Sequence, residues 1–275
     1  MLRKKKWQEA IWILLAIVIV TLALGPYLWF VMISFKDRTD ILSPTIRFLF
    51  KPTLSNYPKI FIDREFIIFL KNSIIVALGT VAISLIVGIP AAYSLSKMPV
   101  VGRKHIMFFI LSSRMAPPIT IAIPLYILFQ KIGILGHYSA VIISHVTFGM
   151  ALVVWLVKTF FDDIPSDLED AGRVDGCSRF NVFRYIMLPL ALPGIVVSAL
   201  FVFVFSWSEF LFALILSGHD ARTMPPAFPG LITPHGTFWG QCAAAATIST
   251  IPGVLLILLF HKYLVRGLTF GAVKG

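Results

Sequence analysis

The chain carries no residue set that could perform covalent or hydrolytic chemistry by itself. Neither G-x-x-x-x-G-K-[ST] nor H-E-x-x-H occurs, and within the apolar runs no Ser-His, Asp-Asp or metal-ligand pair falls at helical spacing. A phosphate cradle, a zinc site and an intramembrane catalytic pair each need such a set. Two other kinds of residue stand out. Arg114, just before Pro117-Pro118, and Glu209 interrupt long apolar runs. Ionisable groups in such runs are costly to expose to lipid and face the interior of a helix bundle. For Arg114 a structural ion pair, with Glu209 among the acids it could meet, and a contact with a passing solute stay open. For Glu209 an interior hydrogen bond is the competing reading.

The second feature is a dense charged run, Asp162-Asp163-Ile164-Pro165-Ser166-Asp167-Leu168-Glu169-Asp170-Ala171-Gly172-Arg173-Val174-Asp175-Gly176. Ser166 followed three residues later by Glu169 has capping-box spacing, and Gly176 can supply the left-handed residue that ends a helix. Two to three amphipathic turns along a membrane surface are expected. Leu188-Pro189-Leu190-Ala191-Leu192-Pro193 then predicts a kinked approach to the next apolar run. A merely solvated connector is the plainer reading of residues 162–184.

The elements that hold these residues follow from composition. The chain is 58% hydrophobic and 13% charged, with mean hydropathy +0.88, against roughly 45–50% and about 25% in soluble domains. A bilayer core about 30 Å thick takes about 20 apolar helical residues. Six segments qualify, at about 11–35, 67–96, 105–130, 139–161, 187–217 and 241–262. The first is read as a retained span rather than a secretory signal, because the run is long and no convincing cleavage site follows.

Lys and Arg on the side of Arg3-Lys4-Lys5-Lys6 number 14 of 24, which puts both ends inside. Residues 36–66 and 218–240, rich in Pro, then form external loops, and the formal charge of +11 belongs to membrane flanks rather than to a nucleic-acid face. Cys177 and Cys242 fall on opposite sides and are not expected to pair. His145, Asn72 and Gln130 are lone polar residues expected in interhelical hydrogen bonds.

The run Glu169-Asp170-Ala171-Gly172-Arg173-Val174-Asp175-Gly176, continued by Leu188-Pro189-Leu190 and Pro193, resembles a known family. It is similar to the signature of permease subunits of ATP-binding-cassette importers, in the carbohydrate branch typified by the maltose transporter's smaller permease. Asp170 stands where that signature has Glu, and Gly172 where it has a second Ala. Trp207-Ser208-Glu209-Phe210 and the ending Tyr263–Gly275 share the likeness.

The resemblance implies an all-α membrane protein, six transmembrane helices with a cytoplasmic coupling helix, in the type I importer permease fold. It implies three parts: residues 1–66, a core of 67–262 with the coupling loop 162–184, and a cytoplasmic tail 263–275. Coupling falls to Glu169, Asp170, Ala171, Gly172, Asp175 and Gly176, and a further ATPase contact to Arg266, Gly267 and Lys274. Arg114 and Glu209 become candidates for the translocation path. No cofactor or metal is expected in this chain. ATP and Mg would be bound by an ATPase subunit dimer, alongside a second homologous permease, an external solute-binding protein and membrane lipid, in the inner membrane of a bacterium or archaeon. The alternative is a stand-alone secondary transporter or channel. Paired broken helices in inverted halves would mark it, and the Pro-Pro break has no evident counterpart.

Overall fold

The computed structural model describes residues 2–63, 65–233 and 236–269. These group into two compact units, one within Met1–Ile67 and Phe228–Ile251, the other within Ile68–Ala227 and Pro252–Gly275. Among the described residues, Ile11–Ser34, Phe66–Lys97, Tyr138–Asp163 and Trp239–Tyr263 are each long and apolar enough to cross a membrane. They correspond to the first, second, fourth and sixth expected spans.

The third and fifth spans are not single helices, and proline chemistry explains both. In the third, Arg103–Ser112 and Pro118–Lys131 are separate helices. Pro117 precedes another proline, which excludes it from the α region, and its ψ of 128° turns the chain away before Pro118 starts the next helix. In the fifth, Arg179–Leu190 and Leu192–Ser208 meet at 72°. Pro193 has no N–H for the preceding turn, so the ladder is interrupted beside Ala191. A second interruption follows at Glu209, whose ψ of 129° is extended, and Leu211–Leu216 resumes the helix.

In the first unit, the helix Leu2–Ser34 is tied off at its end by a side chain from the following loop. Asn56 Nδ2 donates to the carbonyls of Ser34 and Lys36, both at 2.9 Å, satisfying acceptors that a helix end leaves open. Lys36 is buried. Its ammonium donates to Arg47 O at 2.6 Å and lies 5.4 Å and 5.0 Å from the ring centres of Trp29 and Phe50. The loop expected to be irregular thus holds short helices, Arg38–Ile41 and Asn56–Pro58, and a π-helical turn at Lys59–Asp63. Of the other loop, Phe228–Leu231 forms a 3-10 turn and Ile232–Thr233 pairs with Gly236–Thr237 in a two-residue hairpin, while the helical turn Met224–Ala227 belongs to the second unit.

In the second unit, the Tyr138–Asp163 helix packs closely on Phe66–Lys97 and Leu192–Ser208. Small residues set the approach. A Cβ on Gly149 would stand 2.9 Å from Ser84 Oγ and 3.0 Å from Val202 Cγ1, and one on Gly194 would enter the Phe160 ring at 2.2 Å. Helices in a bilayer associate by such contact, since lipid is as apolar as the side chains. Ala92, Val153, Val157, Phe161 and Met187 form the buried apolar cluster at one end of this unit.

At its opposite end Asn72 Nδ2 donates to Asp220 O and Arg222 O, and Tyr138 Oη donates to Asn72 Oδ1 at 2.6 Å. Asn72 therefore makes the interhelical bond expected of it. Gln130 does not: it is exposed and forms no side-chain hydrogen bond among the described residues. Cys177 and Cys242 are both free thiols.

Candidate functional site

The charged run folds as the helix Asp167–Val174, two turns long, with Asp167, Glu169 and Asp170 in its first turn and Arg173 in its last. That arrangement complements the helix dipole. Its end is as the sequence foretells. Gly176 has φ +84°, Cys177 N donates to Gly172 O at 3.0 Å, and Gly176 N donates to Arg173 O at 3.0 Å. These are the two bonds of a Schellman cap.

Its beginning corrects the sequence reading. Ser166 is itself helical at φ −64° and ψ −27°, and its hydroxyl caps nothing. The capping box fails because Glu169 is drawn elsewhere: Tyr93 Oη donates to Glu169 Oε1 at 2.6 Å. Tyr93 lies in the last turns of the Phe66–Lys97 helix and also packs against the rings of Phe161 and Phe183. Two further residues of that helix reach the same segment. Ser96 Oγ donates to Asp162 Oδ1 at 2.6 Å, and Lys97 Nζ donates to Ile164 O at 2.5 Å. Asp162 also accepts from Arg103 at 3.3 Å and from Lys158. None of Tyr93, Ser96 or Lys97 was singled out by sequence.

Gly172 is buried. A Cβ there would lie 2.6 Å from Ile186 Cδ1 and 3.3 Å from Val182 Cγ2, so the two-turn helix sits close enough to the Arg179–Leu190 segment that alanine would require the end of Ile186 to move. The other face is bare. Leu168, Ala171 and Val174, three residues apart, are exposed, with Val174 at 87%, and Phe180 in the following helical segment is 63% exposed. Spacing of three places them on one side of a helix. Asp170 and Asp175 are exposed, and their carboxylates accept no hydrogen bond among the described residues. Between helix and span end lies a cavity of about 260 Å³, lined by Tyr93, Lys97, Glu169, Arg173 and Arg179.

Glu209 and Arg114 do not meet as a pair. Glu209 accepts from the backbone N–H of Phe212 at 2.9 Å and of Ala213 at 3.0 Å, and from His145 Nε2 at 3.0 Å. His145 is fully buried, with Ser206 Oγ 2.8 Å from its Nδ1. Arg114 lies exposed in the break before Pro117, with no side-chain hydrogen bond or ion pair among the described residues. Arg266 and Gly267 fall within the helix Trp239–Thr269, which runs on past the expected end of the sixth span. Lys274 lies outside the described residues. Among the described residues no three His, Cys, Asp or Glu stand close enough to hold a metal ion.

In the first unit a cavity of about 400 Å³ is lined by Asp37, Arg38, Asn56, Lys59, Trp239 and Gln241, among others.

Residues 84–270, more than half of the chain, match the family described as the binding-protein-dependent transport system inner membrane component. The chain is 37% identical to the trehalose/maltose transport system permease protein of Thermococcus litoralis, covering 100% of both. It is 31% identical to the sulfoquinovosyl glycerol transport system permease protein of Agrobacterium fabrum, over 94% of this chain and 92% of that one. A chain of a bacterial ABC transporter involved in import of the acidic polysaccharide alginate superposes with a TM-score of 0.78 at 20% identity. That likeness covers 95% of this chain and 98% of the other.

Proposed function

Because this chain belongs to the family of binding-protein-dependent transport system inner membrane components, we propose that it imports a sugar, polyol or sugar derivative by alternating access, driven by ATP hydrolysed on a separate ATPase subunit dimer. The observation that carries the substrate class is the end-to-end match to a trehalose/maltose permease. The stand-alone secondary transporter or channel falls, since the family is one component of a binding-protein-dependent system.

The Asp167–Val174 helix supports the ATPase contact. Its bare Leu168, Ala171 and Val174 face is an apolar patch, and the nearby carboxylates of Asp170 and Asp175 accept no hydrogen bond among the described residues. Such a patch on a short capped helix is what a partner can grip and move. In this reading Glu169 and Gly172 hold the helix to the bundle, while Asp170, Ala171, Asp175 and the Gly176 turn face the ATPase. ATP and Mg belong to that partner. Arg266, Gly267 and Lys274 contact it too, a second homologous permease completes the path, and an external binding protein delivers the solute to the loop side. Lipid surrounds the spans, and no nucleic acid is involved.

The test is reconstitution of the complete transporter in proteoliposomes with ATP inside. ATP-dependent accumulation of trehalose, maltose or a sulfonated sugar glycoside, lost without the binding protein, supports the reading. Accumulation of such a solute without ATP or ATPase sinks it.

A further inference from the structure

One face at the end of the second span holds the coupling segment at three points. Tyr93, Ser96 and Lys97 are spaced i, i+3 and i+4, so they share one side of the Phe66–Lys97 helix. Ser96 bonds Asp162, before the coupling helix, Lys97 bonds the carbonyl of Ile164 in the connecting turn, and Tyr93 bonds Glu169 within the coupling helix. The covalent chain does not require this link. It joins the coupling helix to the Tyr138–Asp163 helix on one side and to the Arg179–Leu190 segment on the other, whereas Tyr93 stands 76 residues from Glu169.

The Tyr93 bond is also unlike an ordinary surface contact. Tyr93 is 8% exposed, and its ring is fixed by Phe161 at 5.5 Å and Phe183 at 4.9 Å. With the ring locked, its hydroxyl is a preorganised donor at one place. Two of the acceptors are carboxylates, where hydrogen bonds are roughly twice as strong as between neutral groups.

We infer that Tyr93, Ser96 and Lys97 are positioning residues that make the second span move together with the coupling helix, so that motion of a partner gripping that helix reaches the span bundle directly. The inference rests on the importer reading. A displacement at Glu169 is carried through Tyr93 Oη into a helix of 32 residues, about 48 Å long at 1.5 Å per residue. Without the link, force would reach the bundle through the turn at Ile164–Ser166 and through the Arg179–Leu190 segment on which Gly172 packs, and not directly through the second span.

The experiment uses the complete reconstituted transporter and reads solute taken up per ATP hydrolysed. Tyr93→Phe keeps the ring contacts and removes the donor. It is expected to lower that ratio about tenfold, the weight of one hydrogen bond to a charged group, with assembly and thermal stability close to wild type. Glu169→Ala should do the same, and the double variant should be no worse than either single. An unchanged ratio in Tyr93→Phe, or additive losses in the double, overturns the inference.

A second arm does not depend on those variants folding. In a background of Cys177→Ser and Cys242→Ser, Ser96→Cys with Asp162→Cys are joined by a short bifunctional thiol reagent. Uptake retained after joining is expected, because the two sites never part. Uptake abolished by joining, but normal in the unjoined variant, shows that they separate in the cycle and overturns the inference. Absence of ATP-dependent uptake in the wild type instead removes the importer reading, and the inference with it.

Discussion

Glu209 and His145 meet 3.0 Å apart where the fifth span is interrupted, and the same carboxylate caps the helix that resumes at Leu211 through the N–H groups of Phe212 and Ala213. A broken helix inside a bundle leaves donors that must find partners, because no water is at hand to take them. Glu209 supplies the acceptor for these groups and for the His145 ring nitrogen. Glu209→Ala should therefore cost about 3 kcal/mol of stability, since two N–H groups and a buried imidazole lose their partner together. Glu209→Gln retains one acceptor oxygen and should fall between. Thermal unfolding of the purified transporter ranks the three proteins, and equal stability of alanine and wild type would refute the capping role.

Ser166 tests how the Asp167–Val174 helix begins. Its hydroxyl caps nothing, so Ser166→Ala should change stability by less than about 0.5 kcal/mol, whereas loss of a true cap costs about 1 kcal/mol. Tyr93→Phe beside it should alter coupling instead. Denaturation in detergent checks the first expectation, and solute taken up per ATP hydrolysed checks the second.

Gly172 stands where related signatures carry alanine, and the structure gives the reason. The methyl that alanine would add collides with Ile186 Cδ1 at 2.6 Å, the movable end of a side chain. Gly172→Ala should be mildly destabilising, and Gly172→Leu should cost about 1–3 kcal/mol by overpacking. Adding Ile186→Val to Gly172→Ala should restore stability, since the offending methyl is gone. Failure of that rescue would place the constraint in the backbone rather than in Ile186.

Legibility divides along the range of each interaction. The left-handed Gly176, the Pro117-Pro118 break and the kink near Pro193 were readable because each is decided by a residue and its neighbours. Ser166 and Glu169 misled for the same reason. Their spacing describes a local bond, but a tyrosine 76 residues away competes for the carboxylate and wins.

The signal for that competitor was present: Tyr93, Ser96 and Lys97 put three polar groups on one side at the end of an apolar run. His145 was readable as an interior hydrogen-bonding residue, yet nothing local pairs it with Glu209, 64 positions later. The helix of the sixth span runs on to Thr269, past the end expected at about residue 262 where the apolar run stops.

The last prediction concerns Arg114. In the third span, running from His105, it lies about nine residues in, roughly 13 Å along the axis and near the middle of a core about 30 Å thick. The structure leaves it exposed where the helix is broken, and no side-chain bond among the described residues depends on it. A guanidinium at that depth in lipid would be costly, so the exposed side should face a polar path or the second permease. Stability should then be indifferent: Arg114→Gln should change unfolding by less than about 0.5 kcal/mol, as for a residue without a structural partner. Uptake should not be indifferent. If Arg114 borders the path, Arg114→Gln lowers transport while assembly and basal ATPase activity stay normal, and Arg114→Lys recovers part of it by restoring charge without the planar fork. Normal uptake in Arg114→Gln removes Arg114 from the path, and loss of assembly in the same variant assigns it to the contact with the second permease.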